Sequence, residues 1–235
     1  SSLATIALVD GPAQISRESG KRRVVVGANV EGRDLAGFVT EVQQRIDQEV
    51  KLPEGYYFVY GGQFENMERA MATLAIIVPL TIAAIFFLLF ILFRSVKLAG
   101  LIILVLPFAS IGGLIGLFVS GEYVSVPASV GFIALWGIAV LNGVVLVSYI
   151  RSLREGGMSV KDAVLEGARQ RFRPVMMTAT VAMLGLIPFL ISDGPGSEVQ
   201  RPLAIVVIGG LITCTLLTLV VVPTIYHWFD EAEPE

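Results

Sequence analysis

Few side chains in this sequence could do chemistry inside its long apolar runs. Asn142 is the foremost. It stands in the middle of Gly131–Ile150, GFIALWGIAVLNGVVLVSYI, a stretch that is otherwise apolar on every face and around which the chain is read as organised. Its length is about that needed to cross a bilayer. An unpaired amide in hydrocarbon costs roughly a few kcal/mol, so Asn142 is expected to face other helices. Gly131, Leu135, Ile138, Asn142, Val145 and Tyr149 recur at spacings of three and four and trace the face that would point inward. Two readings of Asn142 stand: interhelical glue, or a place in a transport pathway.

Other candidates carry a plain reading beside the chemical one. Arg171 and Arg173 precede Pro174 at the mouth of another apolar run. They are either positive anchors at the membrane edge or a guanidinium that reaches a buried carboxylate of another helix. Met176, Met177 and Met183 share one predicted helix; thioethers bind Cu(I), but they also pack. His227 is the one histidine and lies at a membrane edge. Cys214 is alone, which excludes a disulfide framework and leaves a cysteine metal site unsupported. The sequence has no HExxH, no P-loop and no Gly-rich nucleotide fingerprint. No enzyme activity, cofactor or resident metal is expected.

The elements that must position these residues are membrane helices. The chain is 54% hydrophobic, and its mean hydropathy of +0.76 is that of a polytopic membrane protein. Five apolar stretches, at about 73–93, 98–120, 126–150, 174–191 and 203–226, contain no Asp, Glu, Lys or Arg. Each suits a spanning helix, and the prolines within them are tolerable where neighbouring helices satisfy the freed carbonyls. Gly112 and Gly116 form a GxxxG, and Gly209-Gly210 is a second small patch; both predict close helix packing. Ser159 and Asp162 form a capping pattern that predicts a short surface helix at about 159–170. Its basic residues would meet anionic headgroups. A nucleic-acid reading of that cluster is not needed, because loop charge bias already accounts for it.

Residues 1–68 read as soluble. Leu3–Val9 is an apolar run closed by Asp10-Gly11-Pro12. Val24–Val30 reads as a strand, Asp34–Val50 as an amphipathic helix with Asp34 near its start, and Tyr56–Tyr60 as a second strand. Together they predict a βαβ unit, too thin for an independent core. No basic region followed by a cleavable apolar segment opens the chain, and the first long apolar run begins near Met71. The chain is therefore expected to be a piece of a larger protein or an engineered sequence. The loops decide orientation. Arg94, Lys97, Arg151, Arg154, Lys161, Arg169, Arg171 and Arg173 fall between spans one and two or three and four, whereas the other two loops hold only Arg201. The basic loops are expected in the cytoplasm, with residues 1–68 on the far side and the acidic tail 231–235 inside. Tyr226 and Trp228 suit the inner interface.

A resemblance sharpens this reading. Asp10-Gly11-Pro12-Ala13, Gly20-Lys21-Arg22-Arg23, Gly32-Arg33-Asp34 and Tyr60-Gly61-Gly62-Gln63-Phe64-Glu65 are similar to the porter-domain signature of heavy-metal efflux pumps of the resistance-nodulation-division (RND) superfamily. So are Gly131-Phe132-Ile133-Ala134-Leu135, Gly137 to Gly143, Arg171-Phe172-Arg173-Pro174 and Gly196 to Ala204, in order along the whole chain. The resemblance implies the C-terminal quarter of such a pump: the end of the second periplasmic porter region, then transmembrane helices eight to twelve. The fold class it implies is a helical membrane bundle of five spans at 69–230, preceded by a partial α+β porter segment with a βαβ unit. It further implies a homotrimer in a bacterial inner membrane, a periplasmic adaptor, an outer-membrane channel, and export of metal cations in exchange for protons. The proton-carrying acids of the family lie in the missing N-terminal half, in keeping with spans that hold no carboxylate. Drug-exporting relatives carry a Lys just before the motif's Asn, where Leu141 stands here. Arg171 and Thr178 match positions tied to the relay in those relatives, although a lone helical Thr usually bonds its own backbone. The absence of a Met cluster in the soluble part leans toward divalent ions rather than Cu(I). An exporter of organic solutes and a non-transporting membrane scaffold or translocation auxiliary are the alternatives.

Overall fold

The structure is a computed structural model that describes residues 14–30, 32–192, 194 and 196–230. The Leu3–Val9 run with its closing turn and the tail beyond Asp230 lie outside the described residues, as do the side chains of His227 and Trp228. The chain divides into two compact units, residues 1–51 and 52–235.

In the first unit, β1 (Ser16–Glu18) and β2 (Lys21–Arg23) pair antiparallel, with Ser16 opposite Arg23 and Glu18 opposite Lys21. Ser19 and Gly20 both take positive φ, +48° and +80°. A two-residue turn of that hand matches the twist of the strands it joins. α1 (Leu35–Glu49) starts where Asp34 accepts a hydrogen bond from the Gly37 amide, as the sequence predicts. Leu35, Phe38, Val39, Val42 and Ile46 form a half-buried stripe, and no residue of α1 is fully buried.

The expected βαβ unit does not form. Residues 24–30 and 56–60 carry no strand, and Val24 and Val26 are 91% and 92% exposed. A strand exists by its ladder, and neither run has a ladder partner among the described residues. The fold class otherwise stands: a helical membrane bundle preceded by a small α+β segment.

The second unit is α2 (Gln63–Phe93), α3 (Val96–Ser120), α4 (Val126–Glu155), α5 (Val160–Ile191) and α6 (Ser197–Asp230). Each is long and apolar enough to cross a membrane, and each contains one of the five predicted spans. The protein is a multi-pass membrane protein. Serine caps set three of the starts: Ser95, Ser125 and Ser159 accept from the amides of Leu98, Ala128 and Asp162.

The separate surface helix expected at 159–170 is instead the first part of α5, which runs unbroken from its Ser159 cap through Pro174 to Ile191. Proline removes one backbone donor and usually ends a helix. Here the turns on both sides are held: Ala163 and Gly167 pack inward before it, and Val175 and Ala179 after it.

The bundle turns on α6 more than on α4. α6 packs against α3, α4 and α5, while among the described residues α2 reaches α3 and α4 alone. Small residues make the centre possible. A Cβ on Gly112 would lie 2.5 Å from the Gly209 carbonyl oxygen, and one on Gly209 would lie 2.6 Å from the Gly112 oxygen, so α3 and α6 touch backbone to backbone. α4 seats on the next face of α6, with Gly131 against Leu203 and Val206 and Leu135 against Gly210. The core then fills with Ile102, Leu135, Leu146, Ile150, Leu211 and Val222.

Candidate functional site

Asn142 lies midway along α4, between the Ser125 cap with Pro127 behind it and the basic end at Arg151 and Arg154. It is 8% exposed, and its Nδ2 has no hydrogen-bond partner. The buried face of α4 carries Gly131, Leu135, Ala139, Asn142, Gly143 and Leu146, while Ile138, Val145 and Tyr149 of the predicted stripe are half-buried. Interhelical glue needs an acceptor for that amide, and the described residues provide none. The α3–α4 bond comes from elsewhere: Trp136 Nε1 donates to Ser110 Oγ at 2.8 Å.

The other two predicted site residues sit on α5 and do not join Asn142. Thr178 Oγ1 donates to the Val175 carbonyl at 3.0 Å, which is the self-bonded helical hydroxyl. Its side chain faces outward and lines an open apolar depression with Pro174, Met177, Val181 and Ala182. The Arg171 guanidinium carbon lies 4.9 Å from the centre of the Tyr149 ring, a cation–π contact between α5 and α4. No carboxylate among the described residues pairs with Arg171. The three methionines diverge: Met176 and Met177 are exposed, while Met183 packs on the core. Among the described residues no three His, Cys, Asp or Glu side chains gather as metal ligands.

Sequence reasoning missed the polar residues of α6. Thr215 and Thr218 are 6% and 0% exposed, and Thr215 Oγ1 has no partner. Cys214 is fully buried, with its Sγ 3.8 Å from Thr218 Oγ1. The pairs Gly131–Val206 and Leu135–Gly210 show that α4 and α6 run parallel. Seven residues further along both helices, Asn142 comes level with Leu217, within one turn of Cys214, Thr215 and Thr218. The middle of the bundle thus holds an uncharged polar layer in a charge-free apolar wall. It can donate and accept hydrogen bonds, and Asn142 and the threonines carry no charge to exchange. The signal in the sequence was the run Thr213-Cys214-Thr215-Leu216-Leu217-Thr218, which reads as ordinary span composition until burial is known.

The ends of the bundle are tied by charge. Arg151 donates from Nη1 to the Phe93 carbonyl at 2.6 Å and closes the end of α2, where Arg94 turns left-handed at φ +52°. At the opposite end Arg201 Nε lies 3.5 Å from Glu122 Oε1, which links the start of α6 to the α3–α4 turn.

The sequence pattern of the AcrB/AcrD/AcrF family matches residues 1–230. The chain belongs to the AcrB/AcrD/AcrF family. It is 50% identical over 227 residues to the cobalt-zinc-cadmium resistance protein CzcA of Cupriavidus metallidurans, covering 97% of this chain and 21% of that protein. It is 53% identical over 230 residues to the protein HelA of Legionella pneumophila, covering 97% and 22%. A crystal structure of a heavy metal efflux pump superposes with a TM-score of 0.75 at 47% identity, covering 86% of this chain and 20% of that one. The chain spans about a fifth of the length of the curated relatives it matches. Its motif resemblance to heavy-metal RND pumps stands.

Proposed function

We propose that this chain is the C-terminal membrane segment of an inner-membrane RND transporter that exports heavy-metal cations in exchange for protons. It is a transporter part, not an enzyme. In this reading residues 1–68 end the periplasmic porter region and residues 69–230 form the bundle. The observation that carries it is the buried Asn142 amide, which has no acceptor among the described residues, in a span without carboxylates. A donor held dry in a membrane core is costly unless a partner meets it. A carboxylate from the N-terminal half is the partner that proton coupling requires. Arg171 and Thr178 serve on the α5 side as charge and hydrogen-bond partners of the same relay. Divalent ions are the cargo, in line with the name of the cobalt-zinc-cadmium resistance relative. The basic turns face the cytoplasm. The full protein works as a homotrimer with a periplasmic adaptor and an outer-membrane channel. The test is metal tolerance of a sensitive strain carrying the full-length gene. Zinc, cobalt, nickel or cadmium tolerance that disappears with a proton uncoupler is expected, and tolerance only to organic solutes would overturn the reading.

A further inference from the structure

α5 is longer than the membrane it crosses. Its 32 residues span about 48 Å, against a hydrocarbon layer of about 30 Å. The excess, about a dozen residues, is the basic first part of the helix, so this part stands in the headgroup layer as the continuation of a spanning helix. Its inward face is Ala163 and Gly167, with Gly167 against Ile150 of α4. Its opposite face, at spacings of three and four, is Lys161, Leu165, Arg169, Phe172 and Met176, with Arg173 alongside. Leu165 and Phe172 are 55% and 56% exposed. Among the described residues no carboxylate pairs with Lys161, Arg169 or Arg173. The acids nearby are engaged elsewhere: Asp162 accepts from the Ser159 cap and Glu166 from Gln170.

We propose that this face of α5 is a binding site for an anionic phospholipid. Lys161, Arg169 and Arg173 take the phosphate, and Leu165, Phe172 and Met176 lie along the acyl chains. Charge without a protein counterpart, interleaved with exposed apolar side chains at the end of a membrane span, fits a charged headgroup on a hydrocarbon tail. A soluble phosphate would use the cations and leave the apolar half of the face in water. The inference does not depend on which cargo the transporter carries.

The experiment uses the full-length protein that contains this chain, in detergent, with phosphatidylglycerol and phosphatidylcholine as probes read by native mass spectrometry. Phosphatidylglycerol should bind the parent protein at least about tenfold more tightly than the Lys161→Gln/Arg169→Gln/Arg173→Gln variant, since each basic residue near a charged headgroup contributes a severalfold factor. Phosphatidylcholine should bind both weakly. The Leu165→Ser/Phe172→Ser variant should also lose phosphatidylglycerol, which inorganic phosphate binding alone would not predict. Equal binding of the two lipids, or undiminished binding by the charge variant, overturns the proposal. As a check independent of variant folding, a photo-crosslinker placed at Leu165 in membranes should capture lipid. Capture of another segment of the protein instead would also overturn it.

Discussion

At the scale of the residue, Asn142 is where function and stability can be separated. A buried donor without a partner is a loss of about 1–3 kcal/mol that an apolar side chain of similar size would recover. In this chain alone Asn142→Leu should therefore leave the melting temperature in detergent unchanged or raised, whereas in the full-length protein, where the proposed carboxylate meets the amide, it should lower metal export. A lower melting temperature for the chain alone would return Asn142 to the role of glue, with an acceptor inside these helices. Thr178 makes the milder case, because its hydroxyl is already bonded to Val175. Thr178→Ala should lower export with little effect on assembly, read by transport and by size-exclusion profile. Outside the membrane, the Arg33 guanidinium bonded to Glu41, with Arg45 beside it, holds the Glu41 carboxyl below the ordinary glutamate range. Whatever stability this trio lends α1 is present at and above the ordinary glutamate range and is lost as pH falls through the depressed value. By NMR titration Glu41 should have its midpoint below that of a free glutamate, and Arg33→Ala should move the midpoint back up.

At the scale of the element, glycines separate contact from composition. Gly112 and Gly137 look alike in sequence, each inside an apolar helix. A Cβ on Gly112 would meet the Gly209 carbonyl and Thr213, whereas one on Gly137 would meet nothing within 4 Å. Gly112→Ala should destabilise the bundle by about 1–3 kcal/mol, and Gly137→Ala should be neutral or stabilising by roughly 0.5–1 kcal/mol. Thermal unfolding of the two variants in the same detergent decides. The five spans were legible because twenty apolar residues in a row leave few alternatives. Their ends were not: helices continue through the headgroup layer on polar residues, and Pro174 marks a stop in sequence that packing overrides. The soluble part misled for the opposite reason. Val24–Val30 has strand composition, but composition does not supply a ladder partner. The β1–β2 hairpin was not predicted, because its strands are short and charged and only the Ser19-Gly20 turn marks it. Asn142 was legible as an inward polar residue because everything near it is apolar. Thr215 and Thr218 were not, since a hydroxyl in a membrane helix is common and only burial gives it meaning.

At the scale of the whole molecule, the apolar spans carry no group whose charge could change near neutral pH during a cycle. Proton coupling needs an ionisable group inside the membrane, and a two-state element that its charge biases. For the second we propose the glycine contact of α3 on α6, where the Gly112 and Gly209 backbones meet. The first is absent from the Asp, Glu, Lys and Arg content of the five apolar stretches, and Asn142, Thr178, Thr215 and Thr218 do not titrate there. A bundle of this kind can follow a charge change but cannot originate one. Vesicles that contain this chain alone should therefore show no metal movement when a pH gradient is imposed. Vesicles with the full-length protein should show it, and Asn142→Ala in that protein should reduce the flux while the proposed homotrimer still assembles. Measurement is by a metal-sensitive dye inside the vesicles and by crosslinking of the assembled protein. Sustained proton-driven flux through the chain alone would mean that a titrating group lies within these helices after all, and the division of labour argued from Asn142 would fail with it.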